Sequence, residues 1–374
     1  MENKKLFRKN IRKRTTGLLL LTMLMALLAT GCSKAGEKTT GAENEMNSSV
    51  LDEKDVVLTV GDCSYSLEDM MYYIYVEEEI GWTWDDMYTS FLGEDYSYWD
   101  EIEDEEIGLT GAETAKENVI LNAKKDLVWY QEALKRGITL DEEDKAVAQD
   151  AYDSFRGELS DNQKNVVGMG EELLSYFEKQ QIIEKYKESL LEEAEFDEEA
   201  VSGEVSAEEN REYVFEYFEI YKEDDDGNPY SEEEMKEYLN ELESLAKKLK
   251  KDSDMESMIP DKYKDIIECS DDALIESETD YYGKYKKVDI DKEIKKLKNG
   301  EVSQVFETEE TYFVARMKDN NSSEYYEEMV MTAIEDAKIM IYDTAYENAV
   351  DGYNIVLNEE NWKDVTLGNL IYGL

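Results

Sequence analysis

The chain contains no histidine in 374 residues, and that absence decides much of the chemistry open to it. Serine–histidine and cysteine–histidine nucleophile pairs need an imidazole base. A zinc centre loses its usual nitrogen ligand, and no Cys-x-x-Cys pair stands in for it. The three cysteines, Cys32, Cys63 and Cys269, are widely separated. Paired carboxylates cannot be singled out among 92 acidic residues. The turn Lys222–Tyr230 holds Asp224, Asp226 and Gly227, with Glu233 further on, but Lys222 occupies the first ligand position of a calcium loop, so the turn reads as solvated. No phosphate loop or dinucleotide fingerprint occurs. No catalytic residue, metal or cofactor is expected. The one residue whose surroundings specify a reaction is Cys32.

Lys4, Lys5, Arg8, Lys9, Arg12, Lys13 and Arg14 form a basic start, and Leu18–Ala29 follows as an apolar run of 12 residues broken only by Thr22. A comfortable membrane span needs about 20 residues. The run ends in Leu28-Ala29-Thr30-Gly31-Cys32, which resembles a bacterial lipobox. The resemblance implies diacylglyceryl transfer to the Cys32 thiol and cleavage between Gly31 and Cys32. The expected place is then the outer face of the cell membrane, held by acyl chains. Residues 1–31 read as a signal peptide and 32–54, rich in Ser, Thr, Gly, Glu and Lys, as a flexible tether. Cys63 and Cys269 fall in different expected domains and read as two free, largely buried thiols.

The formal net charge is −51, and residues after position 31 carry 34 basic against 91 acidic groups. Such a surface repels nucleic acid phosphates and anionic headgroups. No nucleic-acid partner is expected. A solvated surface explains the charge, and a site for basic polypeptides would use it.

The elements follow from periodicity. Val56–Val60 and Ser64–Ser66 read as strands around a Gly61-Asp62 turn. Ser66, with Asp69 three residues on, caps a helix bearing Met70, Met71, Tyr73 and Ile74. Gly81–Leu109 interleaves aromatics with acids and reads as an insertion. Its rings either cover the helical core or present a surface to unfolded chains; Trp82, Trp84, Tyr88, Phe91 and Trp99 are the candidates. Ala115–Arg136 is a helix with an apolar stripe, ended by Gly137. Asp141, with Asp144 at N3, starts the next. A further helix runs over 171–193, and 195–210 reads as a boundary. Tyr213–Tyr221 is a strand apolar on both faces apart from Glu216 and Glu219, as an inner strand would be. Ser231 and Glu234 form a capping box ahead of a regular stripe from Met235 to Leu249. Ile294–Lys318 reads as a Lys-rich helix end, an Asn299-Gly300 left-handed cap, an extended run, a polar turn and a strand from Tyr312. A long helix over 322–350 and a strand over 353–357 close the chain.

The run helix-NGEVS-V-turn-YFV resembles the C-terminal half of a parvulin-type peptidyl-prolyl isomerase domain. The patterns around VVLTVGD and QEALKRGITLDEED resemble the chaperone domain of PrsA- and SurA-like foldases. Together these imply an α+β protein: a helical chaperone-like domain (55–205) completed by residues 320–374, with a parvulin-like domain (206–319) inserted. The implied function is a membrane-anchored extracytoplasmic foldase acting on unfolded exported polypeptides. The family's isomerase site uses a pair of histidines with a nearby Cys or Asp. Here the corresponding positions fall near Glu216 or Tyr217 and at Phe313, with Cys269 a second polar remnant. A phenylalanine makes none of a histidine's hydrogen bonds. Weak or absent isomerase activity is therefore expected. The alternatives are an isomerase with a histidine-free site and a binding lipoprotein that is no chaperone.

Overall fold

The computed structural model describes residues 56–92, 97–104, 108–224 and 227–372; the side chains of 91, 92, 103 and 104 lie outside the description. In chain order the elements are β1 (Val56–Val60), β2 (Cys63–Ser66), α1 (Leu67–Leu92), β3 (Ile102–Asp104), β4 (Leu109–Thr110), α2 (Gly111–Lys135), α3 (Glu142–Glu158) and α4 (Leu174–Glu193). Next come β5 (Glu212–Tyr221), α5 (Glu232–Lys248), β6 (Glu268–Ile275), β7 (Lys284–Tyr285), β8 (Val288–Asp289) and α6 (Ile290–Lys295). The chain closes with β9 (Phe306–Glu307), β10 (Thr311–Ser322), α7 (Glu324–Val350) and β11 (Ile355–Leu357). Helix and sheet are mixed, as an α+β chain requires. The chain divides into two compact units: residues up to Glu195 with Ile341–Leu374, and Phe196–Met340.

In the first unit β1 is the middle strand of a three-stranded antiparallel sheet, paired with β2 on one side and β11 on the other. Val57, Leu58, Val60, Met70, Ile74, Val119, Ala123 and Leu127 pack together as its core. Ser66 caps α1: its hydroxyl donates to Asp69 Oδ2 (2.7 Å) and accepts from the Asp69 amide. Asp141 caps α3 in a reciprocal box with Asp144. Helix α2 starts four residues earlier than its apolar stripe suggests, because Thr110 and Glu113 form another capping box. Gly137, at φ +74°, follows its C-cap.

The Gly81–Leu109 stretch needs a correction. Its first part is no separate insertion: α1 continues through Gly81 to Leu92. Glycine sits in this helix because the six-membered ring of Trp99 lies on it. A Cβ at position 81 would come within 2.2 Å of Trp99 Cη2.

About four turns upstream of the helix end, the fully buried Glu78 organises the C-terminal tail. Its Oε1 accepts from the amides of Gly368 (2.8 Å) and Leu370 (2.7 Å). Its Oε2 accepts from Ile371 (2.7 Å) and Tyr372 (2.8 Å). A buried carboxylate is tolerable only with such partners. Elsewhere in the core, Asp126 Oδ2 accepts both the Tyr73 hydroxyl (2.6 Å) and the Gln180 amide nitrogen, tying α1, α2 and α4 together.

The second unit is a four-stranded antiparallel sheet in the order β6-β5-β10-β9. Strand alternation sends Phe218, Ile220 and Val314 to one face, where Leu242 and Leu245 of α5 cover them. Tyr213, Phe215, Phe313, Ala315 and Met317 go to the other face, against Ile290 and Ile294 of α6. Strand β5 is thus the inner strand its composition predicts. Ser231 and Glu234 do form the box that starts α5. The Asn299-Gly300 reading is corrected. Helix α6 stops at Lys295, with its C-cap at Lys296. Gly300 is left-handed (φ +84°), but its amide donates to Met317 O (2.7 Å), so the turn docks onto β10 and does not cap the helix.

Candidate functional site

The two residues at the resembled histidine positions come together across the sheet. Phe313 is on β10 and Tyr217 on β5, with ring centroids 6.0 Å apart and planes at 69°. The packing is full. Phe313 is 1 % exposed, and its ring lies 5.0 Å from Tyr282 and 5.3 Å from Phe306, centroid to centroid. Phe215 adds a contact to Tyr217 at 6.0 Å. The spacings are those of tilted and edge-to-face aromatic pairs, which hold a core together. Tyr282 enters from the loop before α6. Asp291 fixes that loop: its two carboxylate oxygens accept the amides of Tyr281 (2.7 Å) and Tyr282 (2.8 Å).

The polar groups at this face are few. The Tyr282 hydroxyl donates to Asp272 Oδ2 at 2.8 Å. Burial, with the Asp272 carboxylate beside it, raises the Tyr282 phenol well above its ordinary value. Burial, with Glu219 and Asp272, raises Tyr217 as well. Both shifts favour the neutral phenol.

Cys269 and Glu216 are not part of this cluster. Cys269 lies opposite Phe218, and Phe218 faces α5, so the thiol is on the other side of the sheet from Tyr217. Burial, then the Glu216 carboxylate, pushes that thiol up to about 11, so it is no nucleophile at neutral pH. Glu216 pairs with Arg316 (2.5 Å), which is 4 % exposed. Arg316 also donates to Ser253 O (2.8 Å) and to Lys250 O, fastening the loop after α5 to the sheet. Sequence reasoning missed this pair and the Tyr282–Asp272 bond. The strand reading did place Glu216 and Arg316, but nothing in one sequence gives their register.

The aromatic candidates of the first unit separate by burial. Trp99 is 8 % exposed and packs on Gly81 and Trp82, so it is core. Trp82 is half-buried and its indole nitrogen donates to Gly368 O (2.6 Å), a structural bond. Trp84 and Tyr88 stack on each other at 5.7 Å and remain half-buried. The Phe91 side chain and Cys32 lie outside the described residues. Cys63 and Cys269 are free and half-buried, less buried than expected.

No protein-family model matches the chain. No curated protein matches it at a significant level. Among solved structures, the foldase protein PrsA of Streptococcus pneumoniae is 16 % identical, over 67 % of this chain and 89 % of that one, with a TM-score of 0.28. The PrsA foldase of Lactococcus lactis is 11 % identical over 84 % and 97 %, also with a TM-score of 0.28. The peptidylprolyl isomerase PrsA of Bacillus cereus is 15 % identical over 72 % and 97 %, with a TM-score of 0.23. At these TM-scores no residue role passes from them to this chain.

Proposed function

We propose that the protein is an extracytoplasmic folding factor, lipid-anchored through Cys32, that holds unfolded exported polypeptides. Its second unit is a parvulin-like domain without isomerase chemistry. The element order of that unit supports the reading: strand, helix, strand, helix and two closing strands on one antiparallel sheet. The sequence resemblance implies strand, helix, short helices, a glycine loop, helix and two strands, and strand β6 is an addition to that order. The loss of chemistry rests on one observation, the packed Phe313. Rotation about a prolyl bond has a barrier of about 18–20 kcal/mol. Lowering it needs polar groups that stabilise the twisted peptide and space for the proline ring. At Phe313 there is a packed ring with aromatic neighbours on three sides.

Two assays test the halves of the proposal separately. A protease-coupled assay on prolyl peptides should give the uncatalysed rate; a rate well above background would favour a histidine-free isomerase. The purified protein should slow aggregation of an unfolded client, and no effect at molar excess would overturn the folding role. Cys32→Ala should release the protein from membranes. Retention of that variant would refute the anchor.

A further inference from the structure

Helix α7 carries more apolar surface than the fold uses. Between Tyr325 and Met340 it presents Tyr325, Tyr326, Met329, Val330, Met331, Ile334 and Ile339, besides two alanines and Met340. None of its 27 residues is buried. Among the described residues, none of Tyr325–Met340 belongs to any of the four apolar clusters. Met331 and Ile339 are 49 % and 50 % exposed. Helices apolar on several sides are ordinarily buried, and an uncovered apolar patch marks a binding surface.

The charge on the same stretch selects the occupant. Glu324, Glu327, Glu328, Glu335 and Asp336 stand among the apolar side chains, against the single cation Lys338. Lys338 is already paired, to Glu198 at 3.0 Å and to Glu335 at 3.3 Å. A second copy of this helix would bring the same acids against these acids, and the whole chain carries −51. Like charges set face to face oppose association, and opposite charges favour it. The stretch is about 24 Å long at the α-helical rise, enough to seat roughly seven residues of extended chain.

We infer that Tyr325–Met340 is a docking surface for apolar, lysine- or arginine-bearing segments of unfolded polypeptide. The inference rests on the folding-factor reading and names its client class. The occupant lays apolar side chains against Met331, Ile334 and Ile339 while its cations meet the flanking carboxylates. Neutral or acidic segments of equal hydrophobicity bind less well.

The test uses the full chain and three fluorescent peptides of about 15 residues, alike in Leu and Phe and differing only in lysine, serine or glutamate at the polar positions. The lysine peptide should bind about tenfold more tightly than the glutamate peptide at low salt, with the gap closing near 1 M salt, where charges are screened beyond about 3 Å. Met331→Ser/Ile334→Ser/Ile339→Ser should weaken the lysine peptide about tenfold or more, with an unchanged circular dichroism spectrum and melting temperature. As a second variant, Glu327→Gln/Glu328→Gln/Glu335→Gln should remove the preference among peptides while keeping apolar binding. Equal affinity for the three peptides overturns the inference, as does undiminished binding by the serine variant. So does a self-association by sedimentation that the serine variant abolishes, since the occupant is then a second copy. If the protein suppresses client aggregation and the serine variant does so equally well, this surface is wrong while the folding role stands.

Discussion

Replacing Glu78 by glutamine changes one atom and should free the C-terminal tail. The carboxylate accepts four backbone amides, two on each oxygen. A glutamine oxygen can keep two of them, but its NH2 group is a donor and turns toward the other two donors. Net hydrogen bonds to a charged group contribute about 1.5–3 kcal/mol each. Losing two costs about 3–6 kcal/mol, and burying a neutral amide in place of a charge returns part of that. A net loss of about 3 kcal/mol is expected, or roughly a hundredfold in the opening equilibrium. Hydrogen exchange reads this locally: the amides of Gly368, Leu370, Ile371 and Tyr372 should exchange about a hundred times faster in Glu78→Gln. The amides of β5 and β10 should be unaffected. If the four tail amides keep their wild-type protection, the carboxylate is not what holds the tail, and the reasoning fails.

Three other outcomes are expected. Arg316→Met should lower the thermal stability of the second unit by about 3 kcal/mol, because Glu216 is left unpaired and four-fifths covered; adding Glu216→Met should recover more than half, and no recovery would refute the pairing argument. Burial raises the Asp126 carboxyl, so its stabilising contribution is complete below the ordinary carboxylate range and is lost as pH rises through the raised folded value. Asp126→Asn can keep both bonds on one oxygen without the buried charge, so its melting temperature should exceed wild type near neutral pH and vary less across that window; a parallel pH profile would contradict this. Gly81→Ala should cost about 2–3 kcal/mol and shift the Trp99 fluorescence, since the new methyl overlaps the indole.

Periodicity made most elements legible, and the capping boxes located several helix starts. The failures have physical causes. Gly81 looked like a break because glycine is a poor helix former, and only the tertiary contact with Trp99 explains it. Strand β6, Glu268–Ile275, has three acids and no alternation; it survives as an edge strand with one side open. The long apolar run of α7 read as a helix, but sequence could not say that its first half would stay uncovered. Glu78 was hidden among many acids, yet it carried a signal: it continues the Met70–Ile74 spacing of four, where an apolar residue belongs. At the candidate site, residue types were legible and register was not. Tyr217 and Phe313 meet, whereas Cys269 faces away, and one residue of register decides each.

The pairing of β1 with β11 joins segments about 300 residues apart, and the Glu78–tail bonds span nearly as far. Closing such a loop precedes any return from the contacts it makes. Until residues 355–372 are synthesised, β1 keeps an open edge and Glu78 has no donors. A chain truncated there would display an unpaired strand edge, a ready template for aggregation and a mark for proteolysis. The topology therefore acts as a checkpoint: the first unit can finish folding only in molecules whose translation has passed residue 372.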